Sequence, residues 1–164
     1  MFGKLFKKNE EVTDITLVAP VSGEVVALEE VPDPVFSEKM MGDGIAIKPT
    51  SGEIVSPVNG KIVQLIPTKH AIGIHAENGA EILIHIGLET VSLDGEGFTA
   101  YVGEGDQVKK GDKLIHFEMD IVREKAKSTV TPIIITNTGD MRKIDVKTIQ
   151  QVIAGQDVIL HVSK

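Results

Sequence analysis

Short apolar runs, separated by stretches that carry most of the 16 Gly and seven Pro, recur along the chain. They are Ile15–Val18, Gly23–Leu28, Gly44–Ile47, Gly60–Ile66, Ala71–Ile74, Ile82–Ile86, Leu114–Phe117, Thr131–Thr136 and Val158–Val162. Each is rich in Ile and Val and too short for an ordinary helix, so each predicts a strand. Their close spacing and turn residues predict an all-β fold, an antiparallel β-sandwich or barrel with very little helix. The best helical candidate is Asp120–Lys127, with acids early and lysines late. Within Ile82–Ile86 the alternation is strict. Ile82, Ile84 and Ile86 share a face suited to a core, and Leu83 and His85 take the opposite face.

The pattern also repeats. Ala19-Pro20-Val21-Ser22-Gly23-Glu24-Val25-Val26-Ala27-Leu28 matches Ser56-Pro57-Val58-Asn59-Gly60-Lys61-Ile62-Val63-Gln64-Leu65. Each copy reads as a Pro-containing turn, a glycine and a strand, so the two are expected at related places in a pseudo-symmetric sheet. Two copies indicate duplication inside one domain, since a solenoid needs at least three. A further stretch, Gly105–Leu114, resembles the Gly-Asp hairpin of biotinyl and lipoyl carrier domains.

Composition narrows the function. A chain of 164 residues predicts one domain, over 13–164, behind a flexible tail at 1–12. The formal charge of −7 and the lack of a basic aromatic stripe argue against nucleic acid, and an acidic surface favours encounter with basic proteins. Zero cysteines exclude disulfides, thiolate metal sites and cysteine catalysis. Neither a bilayer-spanning apolar run nor a signal peptide is visible, and the expected location is cytoplasmic. The start of the chain stands apart. In Met1–Lys8, Phe2, Leu5 and Phe6 fall at i, i+3 and i+4, with Lys4, Lys7 and Lys8 largely elsewhere. Such a segment fits weak, transient contact with the anionic inner face of a membrane.

Two histidines carry the candidate chemistry. His85 stands on a rigid strand, and His70 stands on a predicted turn beside Thr68. Paired imidazoles without cysteine fit metal binding or nucleophilic histidine chemistry, and packed surface histidines are the plain alternative. His75 lies an odd number of residues from His70. On one straight strand the two would face opposite ways, so both are not expected to reach His85. His116 and His161 read as surface positions.

Residues Gly79–Phe98, with Ile84-His85-Ile86-Gly87 at their centre, resemble the active-site signature of the glucose-type IIA components of the bacterial phosphoenolpyruvate-dependent sugar phosphotransferase system. Val31–Gly44, Thr68–Ile72 and Ala126–Thr129 are similar to further landmarks of that family, in order and spacing. The resemblance implies a fold of the duplicated-hybrid-motif kind, with no cofactor required. It implies a relay in which phospho-HPr phosphorylates a histidine that then passes the group to a cysteine of a IIB domain on a membrane sugar permease. The phosphorylated histidine falls on His85, its phosphoryl-stabilising partner on His70, the hydroxyl orienting that partner on Thr68, and the carbonyl orienting His85 on Gly87. The family's partner-binding patch falls on Val35, Phe36, Met40, Met41, Ile66, Gly73, Leu83 and Val91, with Asp33 and Glu89 flanking the site. Regulatory proteins are a further class of partner.

Two rivals come from other classes. A zinc hydrolase on a related β fold needs three protein ligands, and His70 and His85 have no third ligand at a recognisable spacing. Those two histidines with a carboxylate lent by a partner would still hold zinc at an interface. A biotinyl or lipoyl carrier needs a modifiable lysine, and Glu118-Met119-Asp120 has aspartate in its place.

Overall fold

The computed structural model describes residues 12–147 and 149–164. Its widest sheet is antiparallel, with strands in the order β13 (Gln151–Val152), β2 (Gly23–Ala27), β3 (Asp43–Pro49), β11 (Thr131–Ile135), β7 (Glu81–His85), β6 (Ala71–Ala76), β5 (Gly60–Leu65) and β9 (Gln107–Val108). Two three-stranded sheets complete the molecule. One is β1 (Asp14–Val18), β14 (Val158–Ser163) and β12 (Lys143–Val146); the other is β4 (Glu53–Val55), β10 (Lys113–Phe117) and β8 (Phe98–Ala100).

The strand order reads the same from either end. Its middle is the β11–β7 pair, where Ile133 faces Ile84; the neighbours are Ile45 on β3 and Ile72 on β6. β2 and β5, the strands of the sequence repeat, each stand second from an edge. The small sheets match strand for strand, β1-β14-β12 with β4-β10-β8. The duplication therefore extends beyond the repeat visible in sequence. Gln107-Val108 and Gln151-Val152 form the two edge strands of the wide sheet, and each leads through a glycine turn into a strand bearing His116 or His161. The half containing β4 to β10 is inserted in the chain between β3 and β11 of the other half.

Alternation decides which side of each strand is buried. Ile45, Ile47, Ile72, Ile74, Ile82, Ile84, Ile133 and Ile135 join Leu17, Leu114, Phe117 and Leu160 in the main core. Burying one such side chain contributes about 1.5–3 kcal/mol, which sets the register firmly, since a one-residue slip would turn a whole strand inside out. A smaller cluster of Leu28, Val31, Phe36, Ala46, Leu88, Val130 and Ile134 packs elsewhere on the sheet. It includes α1 (Pro34–Ser37), a single turn started by Asp33, whose side chain accepts the Val35 N–H at 3.0 Å, with Pro34 at the first position.

The nine predicted strands all form, most with ends shifted by a residue or two. The helix expected over 120–127 is α2 (Met119–Lys125). Five strands (β4, β8, β9, β12 and β13) and α1 have no counterpart in the sequence reading. Each spans four residues or fewer, too short to show a period, and each strand among them exists because a neighbour offers a ladder. The amphipathic segment 1–8, and the predicted tail except for Val12, lie outside the described residues.

Candidate functional site

His85 closes β7. Ile82 and Ile84 are buried beneath it, whereas Leu83 and His85 are half-buried on the other face, as the alternation requires. Beyond His85 the chain turns at Gly87, where φ is +73°. A Cβ there would lie 2.6 Å from Thr90 Cγ2 and 2.9 Å from the Ser128 carbonyl oxygen, so only glycine fits. The turn is fixed by Thr90 Oγ1 donating to the Ile86 carbonyl at 2.7 Å and by Leu88 N–H donating to the Ser128 carbonyl at 2.9 Å. It brings the Gly87 carbonyl back to accept from His85 Nδ1 at 2.8 Å.

His70 belongs to the turn between β5 and β6, next to Lys69 in the left-handed region at φ +62°. Lys69 N–H donates to the Ile66 carbonyl at 2.7 Å, closing the turn. The Thr68 hydroxyl shares a hydrogen bond of 2.6 Å with His70 Nδ1. Ile86 N–H donates to the His70 carbonyl at 2.7 Å, and Ala71 pairs with His85 across the ladder, so the two histidine backbones are tied together. The rings meet edge to face, centroids 5.1 Å apart at 77°. A third ring, Phe36 of α1, lies 5.2 Å from His85 at 55°.

Both imidazoles are held neutral at pH 7. Burial, followed by the proximity of His85, pushes His70 down to about 4. Burial also pulls His85 below the usual imidazole value, against the opposing pull of the Gly87 carbonyl and Asp33. A carbonyl can only accept, so His85 Nδ1 must carry the proton, and the free lone pair is on Nε2. The result is an oriented neutral imidazole with a free Nε2 lone pair beside a second imidazole whose ring is fixed by a hydroxyl. Among the described residues no three or more His, Cys, Asp or Glu side chains gather to hold a metal.

A depression of about 570 Å³ opens beside the pair, lined in part by Met41, Ile66, Gly73 and Leu83. Val35, Met40 and Val91 are exposed and apolar but outside its lining. Asp33 is half-buried at the start of α1, and Glu89 is exposed. Phe36 departs from the expectation of a partner contact: it is only 5 % exposed, because its ring is turned inward onto His85 and the small cluster. His75 also needs a correction. It pairs with Glu81 in the ladder, four positions along from Ala71 opposite His85, so it shares the His85 face but stands opposite Glu81 and not His85. The odd spacing from His70 misleads because His70 precedes the strand. His75 Nδ1 and Glu81 Oε1 form a 2.6 Å contact.

Val63, Gln64, Glu81 and Thr136 also line the depression and were not foreseen. Period-two spacing from His85 could have found Glu81. Val63 and Gln64 sit at a bulge of β5, which no periodicity marks. His116 is bracketed by Glu53 at 3.1 Å and Glu118 at 3.3 Å, and His161 lies 3.8 Å from Asp14, all away from the pair.

Comparison with known proteins gives consistent results. The profile of the family described as phosphoenolpyruvate-dependent sugar phosphotransferase system, EIIA 1, matches residues 15–141. The chain is 56 % identical over 163 residues to the phosphotransferase system glucose-specific EIIA component of Oceanobacillus iheyensis, covering 99 % of each. To the protein of the same description from Bacillus cereus it is 62 % identical over 144 residues, 88 % of this chain and 87 % of that one. The solved structure of glucose permease IIA from Mycoplasma capricolum superposes with a TM-score of 0.84 at 43 % identity, covering 92 % of this chain and 96 % of the other.

Proposed function

Because this chain belongs to the EIIA 1 family of the phosphoenolpyruvate-dependent sugar phosphotransferase system, and so to the phosphocarriers of sugar uptake, we propose that His85 Nε2 accepts a phosphoryl group from phospho-HPr and passes it to a cysteine of a IIB domain. The observation that carries the assignment is the 2.8 Å hydrogen bond from His85 Nδ1 to the Gly87 carbonyl, which leaves Nε2 as the free base.

In the first step the Nε2 lone pair attacks phosphorus as the bond to the donor atom of HPr breaks, and the electron pair of that bond leaves with HPr. In the second step a IIB thiolate attacks and the Nε2–P bond breaks, restoring neutral His85. Catalysis of this kind is mostly positioning and stabilisation of charge on the phosphoryl oxygens. With the Thr68 hydroxyl donating to Nδ1, His70 keeps its proton on Nε2 and points a donor at those oxygens. The arriving negative charge also favours protonation of His70, reversing the effect of its burial.

Met40, Met41, Val35, Ile66, Gly73, Leu83 and Val91 form the apolar surface on which HPr and IIB dock in turn, with Asp33 and Glu89 attracting basic partners. Regulatory proteins use the same face. Residues 1–8 give the protein weak contact with the inner membrane surface, close to IIB. No cofactor is needed.

Incubation with Enzyme I, HPr and phosphoenolpyruvate tests the assignment. The wild-type protein is expected to take up one acid-labile, base-stable phosphate, and His85→Ala none. Stoichiometric uptake by His85→Ala would refute the choice of nucleophile.

A further inference from the structure

The ring of Phe36 has no part in the relay described above, yet it is one of two aromatic or imidazole rings packed on the acceptor. Several contacts hold it there. Asp33 caps α1 at 3.0 Å from the Val35 N–H, and Pro34 fixes the first helical position. Lys127 Nζ donates to the Pro32 carbonyl at 2.8 Å, tying the entry to α1 to the segment beyond α2. Phe36 and Val35 are consecutive on this turn but point apart: Val35 is 39 % exposed and Phe36 is 5 % exposed. Behind Phe36 stand Leu88, beyond the Gly87 turn, and Ile134, on the strand beside β7. The ring is thus packed between the small cluster and the His85 imidazole.

We propose that Phe36 is a positioning residue for the phosphoryl acceptor: its ring, 5.2 Å from the His85 imidazole at 55°, fixes the plane of that imidazole and keeps water from one side of it. The inference rests on His85 being the acceptor. The Gly87 carbonyl fixes one atom of the imidazole, Nδ1, and a single hydrogen bond leaves the ring free to rock about it. Contacts with Phe36 and His70 remove that freedom, so that Nε2 keeps its aim when HPr or IIB arrives. The same cover disfavours the charged imidazole, in keeping with the lowering of His85 by burial, and preserves the neutral nucleophile. The titratable groups facing His85 are His70, from the turn before β6, whose ring lies 5.1 Å away, and Asp33, from the start of α1. Neither is altered by a change at Phe36.

Three variants test this: Phe36→Leu, which keeps apolar cover without a flat ring; Phe36→Ala, which opens the cover; and Leu28→Ala, a deletion in the same cluster that leaves the Phe36–His85 contact in place. Two readings are taken on each folded protein: the titration of His85 by nitrogen NMR, and the rate of phosphoryl uptake from phospho-HPr across pH. Phe36→Ala is expected to move the His85 titration upward, towards an ordinary imidazole, and to shift the acid limb of the rate profile the same way. Both Phe36 variants are expected to slow uptake about 10- to 100-fold at neutral pH. Leu28→Ala is expected to lower stability and move neither reading. Wild-type titration and rate in both Phe36 variants, or equal shifts in Leu28→Ala, would reduce Phe36 to a core residue. If His85→Ala still takes up phosphate, the acceptor assignment fails, while the titration still reports whether the ring contact acts on His85.

Discussion

At the scale of single residues, the proposed relay separates two imidazoles of the same kind into different roles. A carbonyl faces Nδ1 of His85 and leaves its Nε2 lone pair free, and a hydroxyl faces Nδ1 of His70; in the proposed relay that hydroxyl donates there, so that His70 Nε2 carries the proton. His70→Gln keeps a donor of similar reach but cannot take a positive charge. It is expected to accept phosphate at His85 and, with the charged form of the stabilising group lost, to transfer it onward to IIB up to about 10²–10³ times more slowly. Unchanged onward transfer in a stopped-flow assay would make His70 a bystander. The same variant reports on pH. His70 titrates near 4 in the folded protein and near 6.5 when unfolded, so between those values the unfolded chain binds a proton that the folded one does not. The stabilisation is complete above about pH 6.5 and is lost as pH falls towards 4, on the order of 3 kcal/mol in all. Urea denaturation over this range should show a slope about one proton smaller in His70→Gln than in wild type.

At the scale of elements, β6 and β7 deliver the site at one end and are anchored at the other. Their connecting turn carries Asn78, 2 % exposed, whose Nδ2 donates to the Thr13 carbonyl at 3.1 Å and the Val162 carbonyl at 3.2 Å while Oδ1 accepts from Ala80 N–H at 3.0 Å. One side chain thus joins the hairpin of the wide sheet to β14 and to the chain entering β1. Asn78→Ala leaves buried backbone groups unpaired and is expected to cost about 2–4 kcal/mol in thermal or urea unfolding. The histidine pair sits at the far end of both strands, so phosphoryl uptake below the unfolding range should remain at the wild-type rate. A variant as stable as wild type would show that the turn holds its shape without the amide.

At the scale of the whole molecule, the proposed relay needs a carrier that meets a soluble donor and a membrane-bound acceptor. On the proposed reading the apolar face around His85 serves both in turn, and the basic, apolar sequence of segment 1–8 suits it to bring the carrier near the second. Each lysine close to an anionic surface contributes about 1 kcal/mol, enough for reversible attachment. Removing residues 1–8 is therefore expected to leave phosphorylation by HPr intact and to reduce transfer to IIB in vesicles while sparing a soluble IIB domain. Co-sedimentation with anionic vesicles checks the cause: equal binding by full-length and shortened protein, or binding indifferent to salt, would refute it.

Local pattern determined much of this protein. Period-two alternation around His85 gave β7 and its faces, because a strand flanked by a core has only one register that buries Ile82 and Ile84. The Gly23 and Gly60 repeats gave the duplication, because each copy must build the same turn before the same strand. The two histidines were legible from their residue type and setting, and the roles proposed for them rest on the resemblance of the surrounding signature. What depends on residues distant in the chain was left to the tertiary structure. The inward turn of Phe36, the sharing of one face by His75 and His85, the Val63 bulge and the short strands β4, β8, β9, β12 and β13 all follow from neighbours contributed by other segments. Strands of two to four residues are too short to show a period of their own, and a ring's direction is set by the space left beside it. The lowering of both imidazoles was decided in the same way, since burial is a property of the packed molecule and is written in no single stretch of chain.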